Sequence, residues 1–241
     1  MNLNINTKEI RDKGFTLLEL LIVVSIIAIL SVALVLVLNP AETLKKSRDA
    51  QRISDLSTMK TALGLYLTST STPFLAGTSN TMCKNNLADT WANASGRIYY
   101  SSADSITDTT LDGSSDLVAS STVGSTLLGL TDGGGWIPVN FDVLTGGSPI
   151  SNLPIDPTNE LNGNYSSGTQ DALGSSGPTS NVSTFYRYAC SASPLAFEIN
   201  AVLESTAYTS TDNKLTSDGG NNQYFYEVGT SLKILGTGNN F

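Results

Sequence analysis

FTLLELLIVVSIIAILSVALVLVL, residues 15–38, is the stretch that decides how this chain is built. It runs for 24 residues, about 36 Å as an α-helix at 1.5 Å per residue. A bilayer hydrocarbon core of about 30 Å is spanned at that length. The polar residues inside it are Thr16, Glu19, Ser25 and Ser31. A polar segment, MNLNINTKEIRDKG (1–14), precedes it.

Three readings of this segment compete. In the first it is a secretory signal, with Lys8, Arg11 and Lys13 as the basic flank and Ser31-Val32-Ala33 as a small-x-small cleavage site. The apolar run is too long for that, and Glu19 sits inside it. In the second it is a plain membrane anchor, which accounts for the length but leaves Glu19 unexplained. A carboxylate at membrane depth is costly and seeks a partner.

The third reading supplies the partner. Lys13-Gly14-Phe15-Thr16-Leu17-Leu18-Glu19-Leu20 resembles the processing site of type IV prepilins and pseudopilins. The resemblance covers residues 13–38 closely. It implies cleavage between Gly14 and Phe15 by a membrane prepilin peptidase, followed by N-methylation of Phe15. It also implies an assembly role for Glu19, the fifth residue of the mature chain. Glycine leaves the backbone open to a protease. The freed α-amine is cationic at neutral pH. Glu19 is an anion on the first turns of the helix, where the dipole favours it. In a bundle of staggered helices, Glu19 of one subunit meets the Phe15 amine of a neighbour. The competing reading is a Glu19 that snorkels to the headgroups.

Asn39-Pro40 interrupts the apolar run, and proline predicts a kink or local melting there. In the following stretch Leu44, Ile53, Leu56, Met59, Leu63, Tyr66 and Leu67 recur mostly at three- and four-residue steps. The spacing predicts an amphipathic helix over 39–70, with Arg48, Asp49, Arg52, Asp55 and Lys60 largely on its solvent side. Ser69-Thr70-Ser71-Thr72-Pro73 ends it.

Charge is divided unevenly. Residues 1–60 hold eight Lys/Arg and six Asp/Glu, and residues 61–241 hold five and fifteen. The acidic part repels nucleic acid backbones, so no nucleic-acid partner is expected of the subunit itself. The chain has no histidine, which removes the commonest general base and transition-metal ligand. No nucleotide loop, metal cluster or motif-spaced carboxylate pair supports catalysis, and the expectation is a protein that is not an enzyme. Cys83 and Cys190 form an even pair, which suggests one disulfide and an oxidising compartment. Two buried free thiols are the alternative.

Residues 71–241 read as an extracellular β-rich head domain with long Ser/Gly-rich loops at 101–135 and 160–184. Strands are expected at 97–100, 135–141, 185–190, 196–203, 223–228 and 231–235. Gly229-Thr230 is placed to turn a hairpin between the last two. Leu153–Asn159, LPIDPTN, reads as a rigid turn. The fold class is α+β, a long N-terminal helix on a C-terminal antiparallel sheet. LPIDPTN, FYRYAC and YFYEVGTSLKIL look similar to pilin-like proteins related to the major pseudopilin. In some pseudopilins a loop between the final strands binds calcium. Asp212 and Asp218 are the candidate oxygen ligands here, with a solvated Asx/Gly turn as the competing reading. Asn93, Asn164 and Asn181 begin N-x-Ser sequons.

The organisation expected is therefore a cleaved leader (1–14), a membrane and filament-core helix (15–38), an amphipathic extension (39–70) and the head (71–241). The function implied is a structural subunit of a type IV pilus or pseudopilus. It would begin as a single-pass protein of the cytoplasmic membrane with the head outside, and end in an extracellular filament. Partners implied by the resemblance are copies of itself, a prepilin peptidase, an assembly ATPase and a platform protein. The alternatives are a type II secretion pseudopilin and a membrane-anchored adhesin that never polymerises.

Overall fold

The computed structural model describes residues 14–88, 96–102, 119–121, 123–159 and 184–236. Most of the leader, the sequons at Asn93, Asn164 and Asn181, and most of the two Ser/Gly-rich loops lie outside the described residues. The chain divides into two compact units, Met1–Thr43 and Leu44–Phe241.

In the first unit, α1 spans Leu17–Leu38. It closes at Asn39, which takes left-handed angles with φ 39°, a conformation that asparagine tolerates. The next helix, α2 (Pro40–Ser69), starts on the proline. At a first helical position the missing N–H costs nothing. The Asn39-Pro40 interruption is thus a helix boundary.

In the second unit, α2 turns one face inward: Asp49, Arg52, Leu56, Met59, Leu63 and Tyr66 are buried, at alternating steps of three and four. The apolar half of that stripe matches the periodicity of the sequence. The charged half corrects it. Asp49 and Arg52 do not face solvent, and Leu44, placed on the apolar stripe, is 61% exposed.

The sheet runs β3 (Ala119–Ser121), β2 (Arg97–Tyr100), β4 (Arg187–Ser193), β5 (Leu195–Ala201), β6 (Tyr226–Gly229), and β1 (Lys84–Asn86) also pairs with β4. The β2–β4–β5–β6 core is antiparallel, as expected. The β1–β4 and β2–β3 pairings are parallel, so the sheet is mixed. Inward alternation gives Tyr186, Tyr188 and Cys190 from the β4 side, and Phe197, Ile199 and Ala201 from β5. These pack with Leu56, Met59, Leu63 and Tyr66 of α2. The opposite face carries its own core, including Ala189, Ala196, Phe225, Ile234 and Leu235. Cys83 and Cys190 are joined by a disulfide across 107 residues, tying the start of β1 to β4.

Two expected strands are absent. Residues 135–141 make only an isolated bridge, Asp132 to Asn140, and then a 3-10 turn at Phe141–Val143. Gly135 lies so close to the Leu128 and Leu130 carbonyls that a Cβ there would collide with the Leu130 oxygen. Trp136 is buried, with its indole N–H donating to the Pro154 carbonyl at 2.8 Å. The segment is therefore a packed loop. Residues 231–235 form no strand, and no hairpin turns at Gly229-Thr230. The Ile234 and Leu235 N–H groups donate instead to the Glu198 carboxylate, at 2.7 and 3.0 Å.

The charged half of the α2 stripe forms a joint. Arg52 is fully buried and pairs with Asp156 through two bonds, Nε–Oδ2 at 2.7 Å and Nη2–Oδ1 at 2.9 Å. Its Nη1 reaches Asp49 at 2.8 Å and Glu204 at 2.7 Å, and Arg48 pairs with Glu204 at 2.9 Å. Asp49 also accepts the Glu204 and Ser205 N–H groups just past β5. Asp156 folds its own turn, accepting from Thr158 and Asn159. One guanidinium thus fastens α2, the LPIDPTN turn and the exit of β5.

Burial works to raise the Asp156 pKa, but the Arg52 guanidinium and the Thr158 bonds outweigh it and leave the carboxyl below its ordinary value. Glu204 is lowered likewise, with Arg48 and Arg52 outweighing burial. A depressed carboxyl stabilises the fold above its unfolded pKa, and this contribution is lost as pH falls through the folded value. Acidification below about pH 4 therefore loosens the joint. Removing one partner of a buried ion pair costs about 3–5 kcal/mol. Arg52→Met is expected to lose that much in denaturant unfolding of the detergent-solubilised full chain. Lys214→Met, which removes the exposed pair with Asp212, is expected to leave the midpoint in place. Equal, small effects of both would refute the joint.

Candidate processing and assembly site

The site is built on the first turn of α1. Thr16 is the N-cap residue, with extended angles (φ −80°, ψ 150°). Its hydroxyl accepts the Glu19 N–H at 3.2 Å. The Glu19 carboxylate reaches back, and its Oε2 accepts the Thr16 N–H at 2.9 Å and the Thr16 hydroxyl at 3.0 Å. This is a reciprocal capping box, which satisfies donors that the start of a helix leaves orphaned. Threonine and glutamate three residues apart thus have a local purpose that the sequence reading did not assign. Within a single chain, Glu19 closes its own helix.

Gly14 stands two residues before the cap. A Cβ there would meet nothing within 4 Å, so the fold of this chain makes no demand for glycine at that position. Phe15 is 88% exposed. Both sides of the Gly14–Phe15 bond are open to a second protein.

Beyond the cap, Leu17–Leu34 is long and apolar enough to cross a membrane, and none of that window is buried within the protein. Burying a single Leu, Ile or Val side chain contributes about 1.5–3 kcal/mol, so the helix is driven towards an apolar phase or an apolar neighbour. Its two serines do not oppose this. Ser25 donates to the Leu21 and Ile22 carbonyls at 2.8 and 2.9 Å, and Ser31 donates to Ile27 at 2.7 Å. Their hydroxyls are satisfied inside the helix. Glu19 is the one ionisable group in the window.

Residues 10–35 match the family model described as the prokaryotic N-terminal methylation motif. The chain carries a type IV prepilin and pseudopilin signal. The match ends within α1 and does not extend to residues 36–241. No curated protein and no solved structure matches this chain. The expected similarity of the head segments to pilin-like proteins is not shown by these comparisons.

The remaining candidates lie in the second unit. Asp212 pairs with Lys214 at 2.8 Å. Asp218 spends both oxygens on backbone, accepting Gly220 N–H at 2.9 Å and Glu227 N–H at 2.8 Å. Among the described residues no group of three or more His, Cys, Asp or Glu is arranged to hold a metal. The two aspartates thus serve an ion pair and an Asx-type turn.

The capping box leads to a measurement. Thr16→Ala removes the cap hydroxyl and should fray the first turn. Amide exchange at Glu19, followed by NMR in detergent micelles, is expected to quicken on the order of fivefold, with Ser25 unaffected. Unchanged exchange at Glu19 would mean the box does not hold the turn.

Proposed function

We propose that this chain is the precursor of a filament subunit of the type IV pilus or pseudopilus class. The single observation that carries the proposal is a methylation motif over residues 10–35 on a helix whose Leu17–Leu34 window is unburied and holds Glu19 as its only charge. The motif points to a structural subunit rather than an enzyme.

In this reading residues 1–14 are removed by a prepilin peptidase and Phe15 becomes an N-methylated terminus. Residues 15–38 anchor the subunit in the cytoplasmic membrane, with residues 71–241 outside. An assembly ATPase and platform protein then move it into a filament of its own copies. The apolar face that α1 leaves open is covered there by other α1 helices. Glu19 exchanges part of its capping box for the Phe15 amine of a neighbouring copy. That exchange is chemically modest, because the carboxylate already accepts from the backbone one residue away from Phe15. The cationic amine would add a full opposite charge to the carboxylate, where the Thr16 N–H supplies only a dipole.

Glu19→Ala tests this reading. Expressed in the native host, the variant is expected to reach the membrane in normal amount and to yield fewer than about one tenth of wild-type sheared filaments, a cost of at least about 1.4 kcal/mol in assembly. Glu19→Gln keeps hydrogen bonding without charge and is expected to fall between the two. Full surface display with no filaments from either wild type or variant would favour the non-polymerising anchor.

A further inference from the structure

Glu198 on β5 and Glu227 on β6 share the sheet face opposite α2. Glu198 alternates with the inward Phe197 and Ile199, and Glu227 precedes the inward Val228. The register partner of Glu227 is Asn200, two residues along from Glu198, so the two carboxyls are diagonal neighbours. Both are fully buried. One oxygen of each is occupied by backbone. Glu198 Oε2 accepts the Ile234 and Leu235 N–H groups, and Glu227 Oε2 accepts the Asn222 N–H at 2.9 Å. The other oxygen of each, Oε1, has no donor among the described residues. The register sets the two side chains beside each other on this buried face, and each carboxyl acts on the titration of the other.

Two buried carboxylates in contact cannot both stay ionised without compensation. A single proton between them satisfies both bare oxygens. We propose that Glu198 and Glu227 share one proton, forming a buried acid–carboxylate clasp that holds the C-terminal segment 231–236 on the sheet and releases it in alkaline medium.

The groups around the pair decide where the proton sits. Burial holds the Glu198 carboxyl above its ordinary value, opposed by the bond with Glu227, the N–H groups of 235 and 234, and Lys84 of β1. Asp218, from the loop before β6, adds negative charge beside Glu227. Arg187 of β4 lies on the same face, between the rings of Phe185 and Phe225 at 4.9 and 4.3 Å, with Nη1 on Asn200 at 3.3 Å. The anion therefore rests on Glu198 and the proton on Glu227. Burial and then the Glu198 carboxylate push the Glu227 carboxyl up to about 9.

The unfolded chain releases this proton near the ordinary glutamate value of about 4.3, whereas the folded chain keeps it to about 9. The clasp's contribution is therefore complete only below about pH 4.3, declines steadily above it and is gone once pH has risen through about 9. The chain has no histidine, so side chains with ordinary pKa values are silent between about pH 5.5 and 8. The α-amine titrates there, but equally in every variant.

The test is unfolding of the full-length chain in detergent micelles from pH 5 to 10, for wild type and Glu227→Gln. The unfolding constant of wild type is expected to rise about tenfold more per pH unit than that of the variant between about pH 5.5 and 8. The infrared spectrum of folded wild type at pH 7 is expected to hold a protonated-carboxyl C=O band that Glu227→Gln loses. If that variant fails to fold, the wild-type band still decides: it should be present at pH 7 and gone by pH 10. Parallel pH curves, or no acid band at pH 7, would overturn the proposal. So would a wild-type midpoint raised by calcium chloride at pH 7 with no such rise in Glu227→Gln, because a cation would then balance both carboxylates.

Discussion

Burial is what α1 lacks, and the account of this protein rests on that constraint. Leu17–Leu34 is apolar except for Glu19, Ser25 and Ser31, and none of the window is buried within the chain. The hydrophobic effect drives such a surface out of water and is indifferent to what covers it. In the proposed reading, lipid would cover it before assembly and neighbouring helices after it. Ser25 and Ser31 are internally bonded and do not discriminate between the two. Glu19 does. In one chain its carboxylate closes a capping box with Thr16. In the proposed filament it would meet the Phe15 amine of a neighbouring copy. Transfer between the two surroundings then depends on one carboxylate rather than on the apolar surface.

The head answers a different requirement. Any pull on α1 reaches it through the backbone of α2, and the buried face of α2 begins at Asp49 and Arg52. The guanidinium there bonds Asp49, Asp156 and Glu204, so the end of the helix nearest the membrane segment is fixed by directional ion pairs. Further along, Leu56, Met59, Leu63 and Tyr66 pack on the sheet without direction. Ion pairs fix register where apolar packing tolerates sliding. The disulfide from Cys83 to Cys190 constrains the same sheet from its β1 edge.

How far the sequence revealed this varied with the range of the interactions. α1 was legible because composition over 24 residues is a local signal. Strands β2, β4 and β5 were legible because their short aromatic and apolar runs suit a sheet buried on both faces. Asp49 and Arg52 were misplaced because a helical wheel assigns charge to solvent. Their partners Asp156 and Glu204 stand more than 100 residues away, and nothing local announces them. The segment 231–235 alternates like a strand, yet its N–H groups are taken by Glu198, a carboxylate from another element. Gly135–Phe141 failed as a strand for a steric reason, the close approach of Gly135 to the 128–130 backbone. At the candidate site, residues 10–35 were legible as a motif, with Gly14-Phe15 and Glu19 inside it. The Thr16 cap has a local signal too, the Thr-x-x-Glu spacing of a capping box.

Intact-mass and N-terminal peptide mass spectrometry of the protein from native host membranes tests the central claim most directly. The account predicts a mature chain beginning at Phe15 with a methylated α-amine. A chain still beginning at Met1 in a cell with an active prepilin peptidase, or one beginning at Leu34 after an ordinary signal cleavage, would contradict it.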